Sequence, residues 1–178
     1  GSASLATQSL SVGTHTITAA YSGDSNYAAT TATITYTVTA TTTITGTHTG
    51  ALSITSGSAL ITGATITGNL TIGSGASVDI ENSTIGGVLS ASHGGALRIC
   101  GSTISGSAAI QYAGGLVVAG DTGDAQCAVN TFRGAWTLYF NTNGVEAINN
   151  HVAGGFAQFG NSGPGPFPGD PTTISGNG

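Results

Sequence analysis

One short pattern recurs along most of this chain: a threonine, a hydrophobic residue, any residue, then glycine. It appears as Thr43-Ile44-Thr45-Gly46, Thr65-Ile66-Thr67-Gly68, Thr84-Ile85-Gly86-Gly87 and Thr103-Ile104-Ser105-Gly106. It returns as Thr131-Phe132-Arg133-Gly134 and Thr173-Ile174-Ser175-Gly176, with His151-Val152-Ala153-Gly154 as a variant. The hydrophobic members follow one another at intervals of 22, 19, 19, 28, 20 and 22 residues. A repeat of this length marks a solenoid, whose units bury apolar surface only against their neighbours. Inside it, Ile66, Ile72, Val78, Ile85, Ala91, Leu97, Ile104, Ile110 and Leu116 advance by 6, 6 and 7 residues. Three short strands per coil, with Gly-rich turns at Gly73-Ser74-Gly75, Gly94-Gly95 and Gly114-Gly115, predict an all-β parallel β-helix over 41–178. Seven anchors predict about seven turns, and the variable spacing favours a right-handed over a left-handed helix. Leu70, Ile80 and Ile99 fit as second inward residues, and Trp136 shares a column with Leu70 and Phe156 in the core.

Composition narrows what such a solenoid can do. Two Lys or Arg against seven Asp or Glu make 5% charged residues and a net charge of −5, while glycine alone supplies 30 residues. Arg98 and Arg133 cannot neutralise a nucleic-acid backbone or grip an anionic membrane surface. Apolar runs such as Leu116-Val117-Val118-Ala119 are far too short for a membrane helix, and residues 1–4 lack the basic start of a signal peptide. Hydroxyls replace charges as the source of polarity, a composition suited to the outside of a cell.

Ahead of the solenoid runs a different thread. Residues 14–21 alternate polar and less polar side chains, a turn follows at Ser22-Gly23-Asp24-Ser25-Asn26, and every odd position from Thr31 to Thr49 is threonine. Fully extended, that last segment would reach roughly 60 Å. It is therefore expected to serve two structures, leaving the first near Thr39 and entering the second near Thr43. The stretch Gly13-Thr14-His15-Thr16-Ile17-Thr18-Ala19, continued by Tyr21-Ser22-Gly23-Asp24 and Asn26-Tyr27, resembles the closing strands of bacterial immunoglobulin-like repeats. The resemblance covers about residues 3–40. It implies an incomplete immunoglobulin-like segment over 1–40, since a whole sandwich takes about seven strands. Either upstream sequence or another subunit supplies the rest.

Candidate sites are few. Cys100 and Cys127 lie one coil apart, with Cys127 closing the insertion 120–127, and are expected to form a disulfide. Asp121 and Asp124 are too few carboxylates for calcium, so that loop is expected to be solvated. Glu146 and Asp79 sit between inward positions and should face out, and the sequence shows no acid–base motif around either. The four His residues show no metal-ligand spacing. No cofactor, no metal and no enzymatic activity are expected. Tyr139 and Phe159, seven residues past their anchors, should stack on the outer surface; with Tyr112 they are candidates for binding sugar rings. Asn69 and Asn82 open glycosylation acceptor patterns. Paired threonines at Thr43/Thr45 and Thr65/Thr67 hint at an ice-binding lattice, but the pair is lost at Thr84/Gly86 and Thr131/Arg133. The Pro-rich stretch 163–171 reads as an extended loop. An incomplete sandwich at one end and an uncapped coil at the other predict head-to-tail self-association of an extracellular bacterial surface or filament protein. A glycan-binding adhesin is the alternative.

Overall fold

The computed structural model describes residues 10–123, 125–166 and 170–178. Strands β1 (Gly13–Tyr21) and β2 (Thr30–Val38) form an antiparallel hairpin of nine paired positions without a register shift. The chain then enters the solenoid with β3 (Thr42–His48), close to the handover that the threonine run implies. β3 and β4 (Leu52–Ile54) make the first coil, β5 (Ser58–Ile66) and β6 (Leu70–Ile72) the second. Three strands compose each later coil. These are β7 (Ser77–Glu81), β8 (Thr84–Ile85) and β9 (Leu89–Ser92), then β10 (Leu97–Cys100), β11 (Thr103–Ile104) and β12 (Ala108–Gln111). β13 (Val117–Gly120), β14 (Thr131–Phe132) and β15 (Trp136–Tyr139) precede β16 (Val145–Ile148), β17 (His151–Val152) and β18 (Phe156–Phe159). All neighbouring coils pair in parallel, and β19 (Thr173–Ser175) opens a further coil on β16. The chain is thus an all-β parallel solenoid of about six turns.

Six turns instead of seven follows from two misassigned anchors. Ile66, Ile85, Ile104, Phe132 and Val152 do share a column, but its first-coil member is His48, not Ile44. Ile44 begins the neighbouring column with Ile61, Ile80, Ile99, Ala119 and Ala147, which Ile174 closes. The same four-letter pattern has two structural meanings. In the shared column its glycine is packed backbone against backbone: a Cβ on Gly106 would lie 2.6 Å from the Gly87 carbonyl oxygen. Gly46 and Gly176 instead occupy left-handed corners, at φ +68° and +64°, as do Asn82 and Asn149 in equivalent places. Leu116 also falls outside its expected column, where Val117 pairs with Leu97; the extra residue at that turn sends Leu116 to the outside.

The core runs as an unbroken apolar rod through the coils. Trp136 stacks on Phe132 with ring centres 4.1 Å apart and shares its column with Ala108 and Phe156, as expected. Polar ladders close the corners. Ser83 and Ser102 donate their hydroxyls to the carbonyls of Glu81 and Cys100. Below them, Asn130 donates to the Ile99 carbonyl at 2.7 Å, Asn150 to that of Ala119 at 2.8 Å and Asn177 to that of Ala147 at 2.6 Å. Each amide oxygen in turn accepts the backbone N–H of the preceding member, Asn150 from Asn130 and Asn177 from Asn150. Asn141 and Asn161 repeat the device at a second corner. Buried amides that are matched in this way carry no desolvation debt.

Candidate functional site

The hairpin has two unlike faces. Opposed residues point the same way in an antiparallel pair, so His15, Ile17, Ala19 and Tyr21 share a face with Tyr36, Ile34, Ala32 and Thr30. The other face carries Thr14, Thr16 and Thr18 against Thr37, Thr35 and Thr33, with Thr14 and Thr37 hydroxyls 3.3 Å apart. The apolar face is uncovered: Ile34 is 63% exposed and Tyr36 55%. Neither strand contains Asp, Glu, Lys or Arg. The hairpin's one carboxylate, Asp24, lies in the turn, where it accepts hydrogen bonds from the Tyr21 hydroxyl and the backbone N–H groups of Asn26 and Tyr27. These bonds hold the Asp24 carboxyl below its ordinary range, the Tyr21 hydroxyl contributing most.

At its root the hairpin meets the outside of the first solenoid sheet. The Val12 N–H donates to Asp79 Oδ2 at 3.0 Å, and a groove of about 240 Å³ lies beside this contact, lined by Leu10, Val12, Val38, Asp79, Arg98 and Leu116 among others. Arg98 Nη1 lies 2.6 Å from Glu81 Oε1 and 3.3 Å from Asp79 Oδ1. Asp79 faces outward from the coil, as alternation requires, but it does not face water: only 6% of it is exposed. Burial raises its pKa, while the Val12 N–H and the Arg98 charge oppose that rise. Glu146, expected at the surface from the same alternation, is also buried, beside Gly165 of the Pro-rich segment. Alternation sets the direction of both side chains, and other segments, the hairpin root for Asp79 and the Pro-rich segment for Glu146, cover what alternation alone would leave wet.

Cys100 and Cys127 are joined, with Cα atoms 5.0 Å apart. Leu116, Val118 and Ala125 pack around the bridge as a second apolar cluster outside the coil. Asp121 corrects the expectation of a solvated loop: it is 5% exposed, and its carboxylate accepts the N–H groups of Gly123 and Ala125. Asp124 lies outside the described residues. Among the described residues, no three His, Cys, Asp or Glu side chains gather where they could hold a metal, and no helix is long and apolar enough to cross a membrane.

Tyr139 and Phe159 do occupy one strand position, with Gln111 and Ser92. The stacked rings, however, belong to the next position along. His93, Tyr112 and Phe140 stand at equivalent left-handed corners, φ +55°, +54° and +53°. Their rings stack at centre distances of 4.9 and 5.4 Å, close to the spacing between coils. Both faces of Tyr112 are therefore engaged by its neighbours, which leaves its edge for solvent. Phe159 meets Phe140 with the two ring planes nearly perpendicular and is itself 65% exposed. Sequence spacing misses His93 and Phe140 because a corner residue breaks the alternation on which the count relies.

Asn69 and Asn82 are both exposed. Asn69 Oδ1 accepts the Val88 N–H at 2.9 Å, and Asn82 is one of the left-handed corner residues. The middle residue of the second acceptor pattern, Ser83, is buried in the hydroxyl ladder.

No family model, curated protein or solved structure matches the chain.

Proposed function

We propose that this chain is a structural protein of a bacterial cell surface or extracellular filament, a solenoid stalk that self-associates through exposed β-structure. The observation that carries the reading is the hairpin, with nine positions in each strand, an apolar face open to water and no charge on either strand. An isolated two-stranded sheet is marginal in water and gains stability once a further strand or layer covers it. The reading takes β1 and β2 as the closing strands of an immunoglobulin-like sandwich and the solenoid as right-handed. The Cys100–Cys127 bridge supports an oxidising, extracellular compartment. No catalytic role is proposed. Light scattering and negative-stain microscopy of the purified chain test the reading: concentration-dependent oligomers or filaments are expected, and a monomer at every concentration would overturn it.

Phe159 favours a second reading, a glycan-binding adhesin. Its exposed ring can take the apolar face of a sugar, and Tyr139 lies in register beside it. On this reading Phe159→Ala abolishes binding on a glycan array while the thermal midpoint is unchanged; retained binding by that variant excludes it.

A further inference from the structure

Among the described residues β2 pairs with β1 only, and every residue from Thr30 to Thr37 is exposed. Its outer edge therefore presents the unpaired backbone donors and acceptors of alternate residues along a strand of nine. Folded proteins protect such edges with Lys, Pro, a bulge or a covering segment. β2 has no lysine, no proline and no charge, its register with β1 is unbroken, and among the described residues no other strand pairs with its outer edge. Four of its nine residues are not threonine, and three of those, Ile34, Tyr36 and Val38, are large and apolar.

We propose that this edge is a strand-addition site whose occupant is β2 of a second copy, paired antiparallel about a two-fold axis through Ile34. The inference rests on the self-associating reading above and deepens it by naming the contact. The sequence is self-complementary about that point. Ile34 meets Ile34 of the partner subunit, and Ala32 meets Tyr36 of the partner subunit, small against large. Thr33 falls opposite Thr35 of the partner subunit and Thr31 opposite Thr37 of the partner subunit, so hydroxyls meet hydroxyls on that face, while Thr30 on the other face falls opposite Val38 of the partner subunit. β1 already pairs with β2 with Ile17 opposite Ile34 and Thr16 opposite Thr35, isoleucine on isoleucine and hydroxyl on hydroxyl. The product is a four-stranded sheet with one continuous threonine face and one continuous apolar face. An isologous contact of this kind closes as a dimer. The strand carries no charge, so no like-charged side chains oppose one another along the paired edge.

Sedimentation velocity on the whole chain tests the proposal with Ile34→Lys, Ile34→Glu and their equimolar mixture. Like charges placed opposite one another at the axis should weaken dimerisation at least about tenfold in each single variant. The mixture, which sets Lys against Glu, should restore it. In parallel, Ile34→Cys should form a covalent dimer on oxidation and Thr30→Cys should not, because the two-fold axis brings residue 34 next to itself and holds residue 30 far from its copy. Dimers unaffected by either charge, or equal cross-linking at both positions, would overturn the edge contact while leaving the structural reading intact. A wild-type chain that stays monomeric overturns both.

Discussion

At the scale of single residues, the coils convert ordinary side chains into parts with narrow tolerances. Asp79 illustrates how little local sequence says about environment. Alternation turns it away from the core, yet the hairpin root and neighbouring coils withdraw it from water. Desolvation then raises its pKa above that of the unfolded chain, so the folded state binds the proton more tightly. The stabilisation from this group is fully present below the ordinary aspartate pKa of about 3.9 and is lost as pH rises through the raised folded value. Arg98 lowers the Asp79 pKa, so Arg98→Gln should move the Asp79 midpoint further up. A carboxyl-resolved NMR titration measures this; a midpoint that falls in the variant would contradict the assignment. The corner residues show the complementary case. Glycine and asparagine recur where φ is positive, which is the region L-residues with bulky side chains avoid. His93, Tyr112 and Phe140 accept that backbone cost at their own corner, where ring stacking offsets it.

The loop between β13 and β14 is the element that departs most from the coil repeat. It lengthens the interval from Ile104 to Phe132 to 28 residues, and it folds back on the coil instead of extending into solvent. The disulfide closes a segment with a sequence separation of 27, and Arg98 Nη2 donates to the Gln126 carbonyl at 3.4 Å beside it. Constraint of the unfolded chain predicts a loss of roughly 2–4 kcal/mol when Cys100 and Cys127 are both replaced by Ser. Urea unfolding should show this as a lower midpoint in the double variant, with the same shift for the wild type under reductant. An unchanged midpoint would mean that the apolar cluster of Leu116, Val118 and Ala125 holds the loop unaided.

Across the whole molecule, charge is sparse in the solenoid and absent from both hairpin strands, and in the solenoid the scarcity has a physical cause. Parallel stacking sets equivalent side chains beside one another, where like charges would repel and hydroxyls are tolerated. Thr65, Thr84, Thr103 and Thr131 form such a column. Self-association through these surfaces should therefore depend weakly on salt, since screening acts on charge. Light scattering across an ionic-strength series measures that, and strong loss of assembly in high salt would argue against a neutral interface.

Much of this fold is legible in one dimension because a solenoid is built from contacts between adjacent repeats. The five central anchors, the Trp136 column and the handover after Val38 follow from spacing, and the disulfide from spacing together with two cysteines in a chain of secreted composition. At the ends the repeat loses its neighbours, and one motif serves two columns, which is why Ile44 and Ile174 read as anchors and the turn count came out one too high. What only the tertiary structure decided is what covers what. The burial of Asp79 and Glu146, the folding back of Asp121 and the stacking of His93, Tyr112 and Phe140 all arise between segments that sequence periodicity treats separately. Periodicity states which way a side chain points; only the path of the rest of the chain determines whether water is there to meet it.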